Sequence, residues 1–141
     1  MAELKDWNVA ADDNGFQPPN GWPEGMSYYN VNNCGREMMA VLARWFYDRS
    51  GVLTTTSLSN IFFLNTFGRY GTPRQGDRYT FKINVTMPHS ARIRINGAPP
   101  INIVSARGNM VAFGHVPAGH IITCVIDGSG NLRLAGRLTY G

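Results

Sequence analysis

The sequence VNNCGREMMAVLARWFYDRSG, residues 31–51, has the pattern of a single amphipathic helix. Its apolar residues recur at the spacing of three and four that places side chains on one side of a helix. Asn32 or Asn33 is suited to cap the N-terminus, and Gly51 is suited to end the helix in the left-handed conformation. The predicted packing face consists of Met38, Met39, Leu42, Trp45 and Phe46. This face is wider than one neighbouring surface needs, so it packs on the chain's own β-domain or also meets copies of itself.

Residues 1–30, which precede the predicted helix, are rich in glycine and proline, and three of their aromatic residues, Trp7, Phe16 and Trp22, are candidate anchors. Residues that precede proline favour extended backbone, and the glycines interrupt regular structure. Such a segment cannot build a core of its own. Each aromatic side chain buries a large area when it lies on another surface. We therefore predict an extended arm that anchors on a neighbouring protein.

After Thr54, apolar and polar residues alternate as they do in half-buried strands. Asn96-Gly97 is a strong signal for a tight hairpin turn, because both turn positions require positive φ. One face of the strand around Phe81 is predicted to hold Tyr79, Phe81, Ile83 and Val85. The predicted strands fall within residues 60–67, 78–85, 91–95, 101–106, 109–116, 120–127 and 132–140.

About seven short strands with turns every 8–12 residues are typical of a sandwich or barrel. The predicted fold is therefore mainly β, with an extended arm in residues 1–30 and one α-helix in residues 31–51. Residues 52–141 are predicted to form an antiparallel, jelly-roll-like β-sandwich of about seven strands.

The composition indicates a surface that another molecule covers. Charged residues make up 16% of the 141 residues, against roughly 25% in an average soluble protein. Residues 1–57 hold seven acidic and four basic residues, a net charge of −3, whereas residues 58–141 hold nine basic and two acidic residues, a net charge of +7. This asymmetry suits either a nucleic-acid surface or copies that pack acidic end against basic end.

The sequence offers little for catalysis or metal binding. Asp77 and Asp127, the two acids of residues 58–141, both stand beside glycine in turn sequences. His115 and His120 lie five residues apart across a turn, but no further metal ligand accompanies them. We predict that the chain is not an enzyme and has no catalytic residue, cofactor or metal.

The two cysteines, Cys34 and Cys124, form neither a disulfide framework nor a metal-binding spacing, and we expect free thiols in a reducing compartment. No run approaches the ~18 apolar residues of a membrane span. The candidate nucleic-acid ligands Arg92, Arg94, Arg133 and Arg137 alternate singly with core residues, as exposed sheet positions do. Nucleic acid is therefore not the expected partner.

The segment WPEGM…VNNCGREMMAVLARW, which begins at Trp22, resembles the N-terminal segment of many tailed-bacteriophage tail-fibre and related virion proteins. The pattern consists of Trp22, Glu24-Gly25, Val31-Asn32, Arg36 and Met38-Met39-Ala40. The β part is also similar to the fibre domain that often follows, with motifs in the same order. These motifs are Gly76 with Tyr79 and Phe81, Ile95-Asn96-Gly97, Pro100-Ile101, Ala118-Gly119 and Asp127-Gly128.

The resemblance implies a virion structural protein, assembled in the bacterial cytoplasm, that attaches to tail or portal-proximal proteins and forms a homotrimer. The predicted interface residues are Trp22, Glu24, Gly25, Asn32 and Arg36 from this resemblance, together with the arm residues Trp7 and Phe16. Fibres of this family usually continue into a shaft and tip, so a single small β-domain favours a short tail fibre or a fibre or spike adaptor. Two alternatives stay open: a capsid-decoration (cement) or head-fibre protein on the capsid shell, and a receptor tip that binds host-surface glycans through exposed Tyr and Trp.

Overall fold

The computed structural model describes residues 3–68 and 72–135, in which it has one α-helix and eight β-strands. The helix, α1, spans Tyr28–Asp48. The strands are β1 (Leu53–Thr54), β2 (Thr56–Leu58), β3 (Ile61–Leu64), β4 (Arg78–Lys82), β5 (Arg92–Ile95), β6 (Ile101–Val104), β7 (Ile121–Ile126) and β8 (Leu132–Leu134). The chain divides into an N-terminal unit that ends at Phe46 and a C-terminal unit that begins at Tyr47.

The helix is confirmed, but it is displaced by three residues at each end from the predicted range of 31–51. Its first turn follows Ser27, whose carbonyl oxygen accepts the Asn30 N–H at 3.0 Å. Asn32 and Asn33 therefore lie inside the helix, and the prediction that one of them caps it is wrong. Gly51 has the expected left-handed backbone, with φ of 89°, but it lies beyond the helix end at Asp48.

The segment before the helix is folded rather than extended, which corrects the predicted arm. It contains two short 3-10 helices, Leu4–Asp6 and Ala11–Asn14. The Trp22 N–H donates to the carbonyl oxygen of Asn14 at 2.8 Å and closes a loop between them. Gly21 is required there, because an added Cβ would lie 2.5 Å from the Phe16 nitrogen. These local partners satisfy backbone groups that would face water in an extended arm.

The C-terminal unit is built on one mixed sheet in the order β1-β4-β7-β8-β6-β5-β3-β2. Three neighbouring pairs are parallel, namely β1 with β4, β3 with β5, and β6 with β8. The other four pairs are antiparallel. The unit is thus mainly β, as predicted, but its eight strands form a nearly barrel-shaped sheet, and the predicted antiparallel sandwich of seven strands is not confirmed.

The sheet curls because its two edge strands, β1 and β2, are separated in the chain by the single residue Thr55. The Thr55 N–H donates to the Lys82 carbonyl oxygen at 3.0 Å. Its hydroxyl donates to Asn84 Oδ1 at 2.8 Å and accepts the Asn84 N–H at 3.1 Å. Thr55 is 1% exposed. We call this contact between Thr55 and Asn84 the seam.

Alternate residues of the strands face inward and form the core of the C-terminal unit. In β4 and the residue that follows it, Tyr79, Phe81 and Ile83 are buried as predicted. Val85 was assigned to the same face but is exposed, because β4 ends at Lys82 and the alternation ends with it. The largest fully buried side chains of this unit are Phe62, Leu64, Phe81, Ile83, Met87, Ile93, Ile95, Ile103, Leu132, Val111 and Val116.

The other differences from the predicted strands concern residues 109–116, the end of the chain, and β1 and β2. Residues 109–116 form turns rather than a strand, apart from an isolated bridge between Val104 and Met110. The part of the last predicted strand beyond residue 135 lies outside the described residues. The very short strands β1 and β2 were not predicted.

The Asn96-Gly97 hairpin turn between β5 and β6 is confirmed. Both residues have positive φ, 54° and 78°. The Asn96 side chain also accepts the Thr66 N–H at 2.8 Å and donates to the carbonyl oxygen of Gly68 at 3.1 Å. The adjoining N–H groups of Phe67 and Gly68 donate to the buried carboxylate of Asp48. A polar network therefore holds the loop after β3.

We predict that Thr55→Val lowers the free energy of unfolding of the chain by about 1–3 kcal/mol, because the buried Thr55 hydroxyl and both of its hydrogen bonds with Asn84 are lost. The matched control is Thr54→Val, the same change at the exposed preceding residue, with an expected effect within about 0.5 kcal/mol. Chemical denaturation followed by circular dichroism measures both. Equal losses in the two variants would contradict a stabilising role for the seam.

Candidate assembly surface

One face of α1 is covered by the preceding segment. Buried or half-buried side chains recur along it at Cys34, Glu37, Val41 and Arg44, with a spacing of three and four. Val41 is fully buried, and the Cys34 thiol donates to the carbonyl oxygen of Gly21 at 3.2 Å. This face is the internal packing surface of the N-terminal unit.

Arg44 fastens the start of the chain to this face. Its Nε donates to Glu3 Oε1 at 3.1 Å, and its terminal Nη2 donates to Glu37 Oε1 at 3.1 Å. All three side chains are largely shielded, with 11–16% of each exposed. Glu3 and Arg44 are 41 residues apart in sequence, so the ion pair closes the whole N-terminal unit.

A second face of α1 is apolar and exposed. Between Val31 and Phe46, its residues lie within about 60° of Leu42 to either side around the helix axis, at about 100° per residue. Each of the six large members is between 36% and 72% exposed. They are Val31, Met38, Met39, Leu42, Trp45 and Phe46. We call this set, together with Gly35 between its two ends, the apolar arc.

All five residues of the predicted packing face belong to the apolar arc. They are therefore exposed side chains, and the buried residues of α1 occupy the neighbouring face. Sequence spacing alone did not separate these two faces, because both carry apolar residues.

The residues expected to anchor the chain fall into two groups. Trp7 is half-buried, and its indole N–H donates to the carbonyl oxygen of Asn20 at 2.9 Å, so it holds the fold of its own unit. The other six are exposed on the N-terminal unit, and Gly25 has a positive φ of 70°. These six are Phe16, Trp22, Glu24, Gly25, Asn32 and Arg36.

Several structural residues of this unit were missed by the sequence reasoning. Glu3, Cys34 and Val41 hold the segment before α1 on the helix, and Gly21 permits the turn beneath it. Val41 carried a usable signal, since it lies seven residues after Cys34 and three before Arg44. Nothing in the local sequence indicates the pairing of Glu3 with Arg44.

Three of the four candidate nucleic-acid arginines make local contacts at turns. Arg92 donates to the Pro100 carbonyl oxygen at 3.1 Å, and Arg94 donates to the carbonyl oxygens of Ala98 and Gly97. Arg133 pairs with Asp127 at 3.1 Å. Arg137 lies outside the described residues. These contacts engage guanidinium groups that a nucleic-acid surface would aim at phosphates.

Cys124 and Asp127, both in the C-terminal unit, have pKa values shifted in opposite directions. Burial raises the pKa of the Cys124 thiol far above its ordinary value, which makes it unreactive. Burial alone would also raise the pKa of Asp127, but N–H groups of Asn131 and Ser129 and the Arg133 side chain outweigh it and lower that pKa. Asp127 is thus a turn-forming carboxylate. No group of three His, Cys, Asp or Glu among the described residues could hold a metal ion.

No protein-family model matches the chain, and no curated protein matches it. Within residues 3–68 and 72–135, no helix combines the length and apolar character that crossing a bilayer demands.

We predict that Arg44→Met destabilises the N-terminal unit by about 1–3 kcal/mol, because two shielded carboxylates lose their charged donor. Cleavage of residues 3–27 by a low concentration of protease should accelerate accordingly. Arg36→Met, the same change at an exposed position of α1, is the control and should leave the cleavage rate near that of the unaltered chain. Equal rates in both variants would contradict the fastening role of Arg44.

A second prediction concerns pH. Because the folded-state pKa of Asp127 is lowered, its stabilising contribution is full above the ordinary carboxyl pKa, about 3.9. This contribution is lost as the pH falls through the folded value. Asp127→Asn should therefore be less stable than the unaltered chain at neutral pH, and the difference should shrink on acidification. Urea denaturation at several pH values measures it, with the exposed Asp12→Asn as control; a difference that grows in acid would contradict it.

Proposed function

We propose that the chain is a bacteriophage virion structural protein, a short tail fibre or fibre/spike adaptor that works by binding other virion proteins. Its N-terminal unit attaches to a tail or portal-proximal protein, and the chain assembles as a homotrimer. No catalytic step, cofactor or nucleic acid is part of this role. The acidic N-terminal region and the basic C-terminal region attract each other between copies and guide assembly more than they stabilise it.

One observation carries the proposal: the N-terminal unit folds on itself through one face of α1 and still exposes a large apolar surface. Besides the apolar arc, the unit exposes Phe16 and Trp22, at 39% and 41% exposure. Contiguous apolar surface on this scale marks an interaction site. The same unit exposes Trp22, Glu24, Gly25 and Arg36, the residues of the tail-fibre resemblance.

The glycan-binding alternative finds less support in the described residues. All three tryptophans, Trp7, Trp22 and Trp45, belong to the N-terminal unit. Within residues 52–68 and 72–135, the single tyrosine, Tyr79, is buried. The described surface of the β-domain therefore lacks the exposed Tyr or Trp that would stack on a sugar.

The first test is the copy number of the chain in purified virions of the phage that encodes it, measured by quantitative mass spectrometry. A few copies per particle, labelled by antibody at the tail, are expected. Hundreds of copies on the shell would instead establish the capsid-decoration alternative. A chain absent from virions would overturn both.

The second test addresses the attachment residues. Trp22→Ala should weaken attachment by about 2 kcal/mol or more if Trp22 is a central interface residue. Incorporation into virions should drop sharply while the circular dichroism spectrum stays unchanged. Tyr29→Ala removes an exposed aromatic side chain of the same unit outside the anchoring set, so it serves as the matched control. Equal incorporation of both variants would show that Trp22 is not an anchor.

A further inference from the structure

The apolar arc of α1 has a geometry that bears on its partner. Val31, Gly35, Met38, Leu42 and Trp45 follow one another at intervals of four, three, four and three residues. Residues at this repeat stay on the one side of a helix that faces a second helix. A flat or irregular surface imposes no such repeat, so the spacing favours a helix as the occupant.

Gly35 supplies an independent observation. It lies in the middle of a 21-residue helix, where glycine is less favourable than alanine. A Cβ added there would meet no atom within 4 Å apart from the helix's own backbone. The fold of the chain therefore gives no reason for the missing side chain. A second helix that crosses closely at this point does give one, because neighbouring helix axes lie about 8–10 Å apart.

The charge pattern favours copies of the same chain. Between Tyr28 and Phe46, the apolar arc holds no charged side chain, and Arg36, Glu37 and Arg44 point elsewhere on the helix. Identical arcs can meet without like-charge repulsion, whereas recognition of a different protein commonly relies on complementary charges.

The exposed area is sufficient for a stable contact. Taking about 200 Å² for a large apolar side chain, six side chains that are 36–72% exposed offer roughly 600 Å². Each partner in a standard interface contributes about 800 Å². The apolar arc therefore supplies most of the area that one partner needs.

We infer that the apolar arc is the surface through which copies of this chain associate, α1 against α1. This inference deepens the proposed function and rests on its oligomeric part. It assigns the two faces of α1 separate roles: Cys34, Val41 and Arg44 hold the preceding segment, and Leu42 and its neighbours meet the sister copies. Phe16 and Trp22 are left for the neighbouring virion protein.

The test is the oligomeric state of the full chain across micromolar concentrations, by analytical ultracentrifugation. The unaltered chain should be oligomeric. Leu42→Glu should raise its dissociation constant on the order of 100-fold or more, because a carboxylate enters a desolvated contact. Ala43→Glu places the same charge one residue further along, about 100° around the helix, and should leave association unchanged. Circular dichroism verifies that both variants fold.

Gly35→Leu supplies a second variant that does not introduce charge. It adds apolar area, so a non-specific sticky surface would bind as well or better. A close helix crossing would be blocked, and association should weaken on the order of 10-fold. A monomeric unaltered chain, or oligomers that withstand both Leu42→Glu and Gly35→Leu, would overturn the inference.

The experiments distinguish a failure of this inference from a failure of the proposed function. A chain that enters virions but does not associate through the arc keeps the proposed function and loses the inference. A chain that associates through the arc and never enters virions does the reverse.

Discussion

The hydrogen bonds between Thr55 and Asn84 hold the bend that joins the two edge strands of the eight-stranded sheet. Edge strands expose unpaired backbone groups and invite pairing with other chains. Here the two edges, β1 and β2, are consecutive in the chain, so one bend brings each to its place. The buried Thr55 hydroxyl replaces the backbone partners that the bend interrupts. The enclosed apolar core depends on this closure, because its residues come from strands on both sides of the seam.

The N-terminal unit obeys a different constraint. It has too few apolar residues for a core like that of the C-terminal unit, and it instead covers one face of α1 with a short folded segment. An ion pair, a thiol contact and Val41 suffice on that face. The apolar arc lies on a different face of the helix and stays exposed. A monomer would keep this area in water at a free-energy cost that association removes, which is why the proposed role is assembly.

The sequence predicted the elements whose signals are local. The α1 helix, the Asn96-Gly97 turn and strands such as β4 and β7 follow from spacing or turn chemistry that few neighbouring residues determine. The strands β1 and β2 are too short to show alternation, and residues 109–116 alternate without pairing as a strand. The parallel pairs between distant segments have no local signature, so a sandwich was as reasonable as a barrel. For the candidate site, the apolar residues of α1 were found, but the covered face was not, since it depends on Glu3, 41 residues before Arg44.

Asn96 illustrates how two demands on one residue restrict its replacement. Its backbone adopts a left-handed turn conformation, which glycine, aspartate and asparagine tolerate best. Its side chain must both accept the Thr66 N–H and donate to the Gly68 carbonyl oxygen. Glycine meets the first demand and has no side chain for the second, while an ionised aspartate cannot donate. Asparagine alone among these three meets both demands. Slow hydrolysis of this amide to a carboxylate would therefore remove the donor to Gly68 and weaken the loop after β3, without any change in the gene.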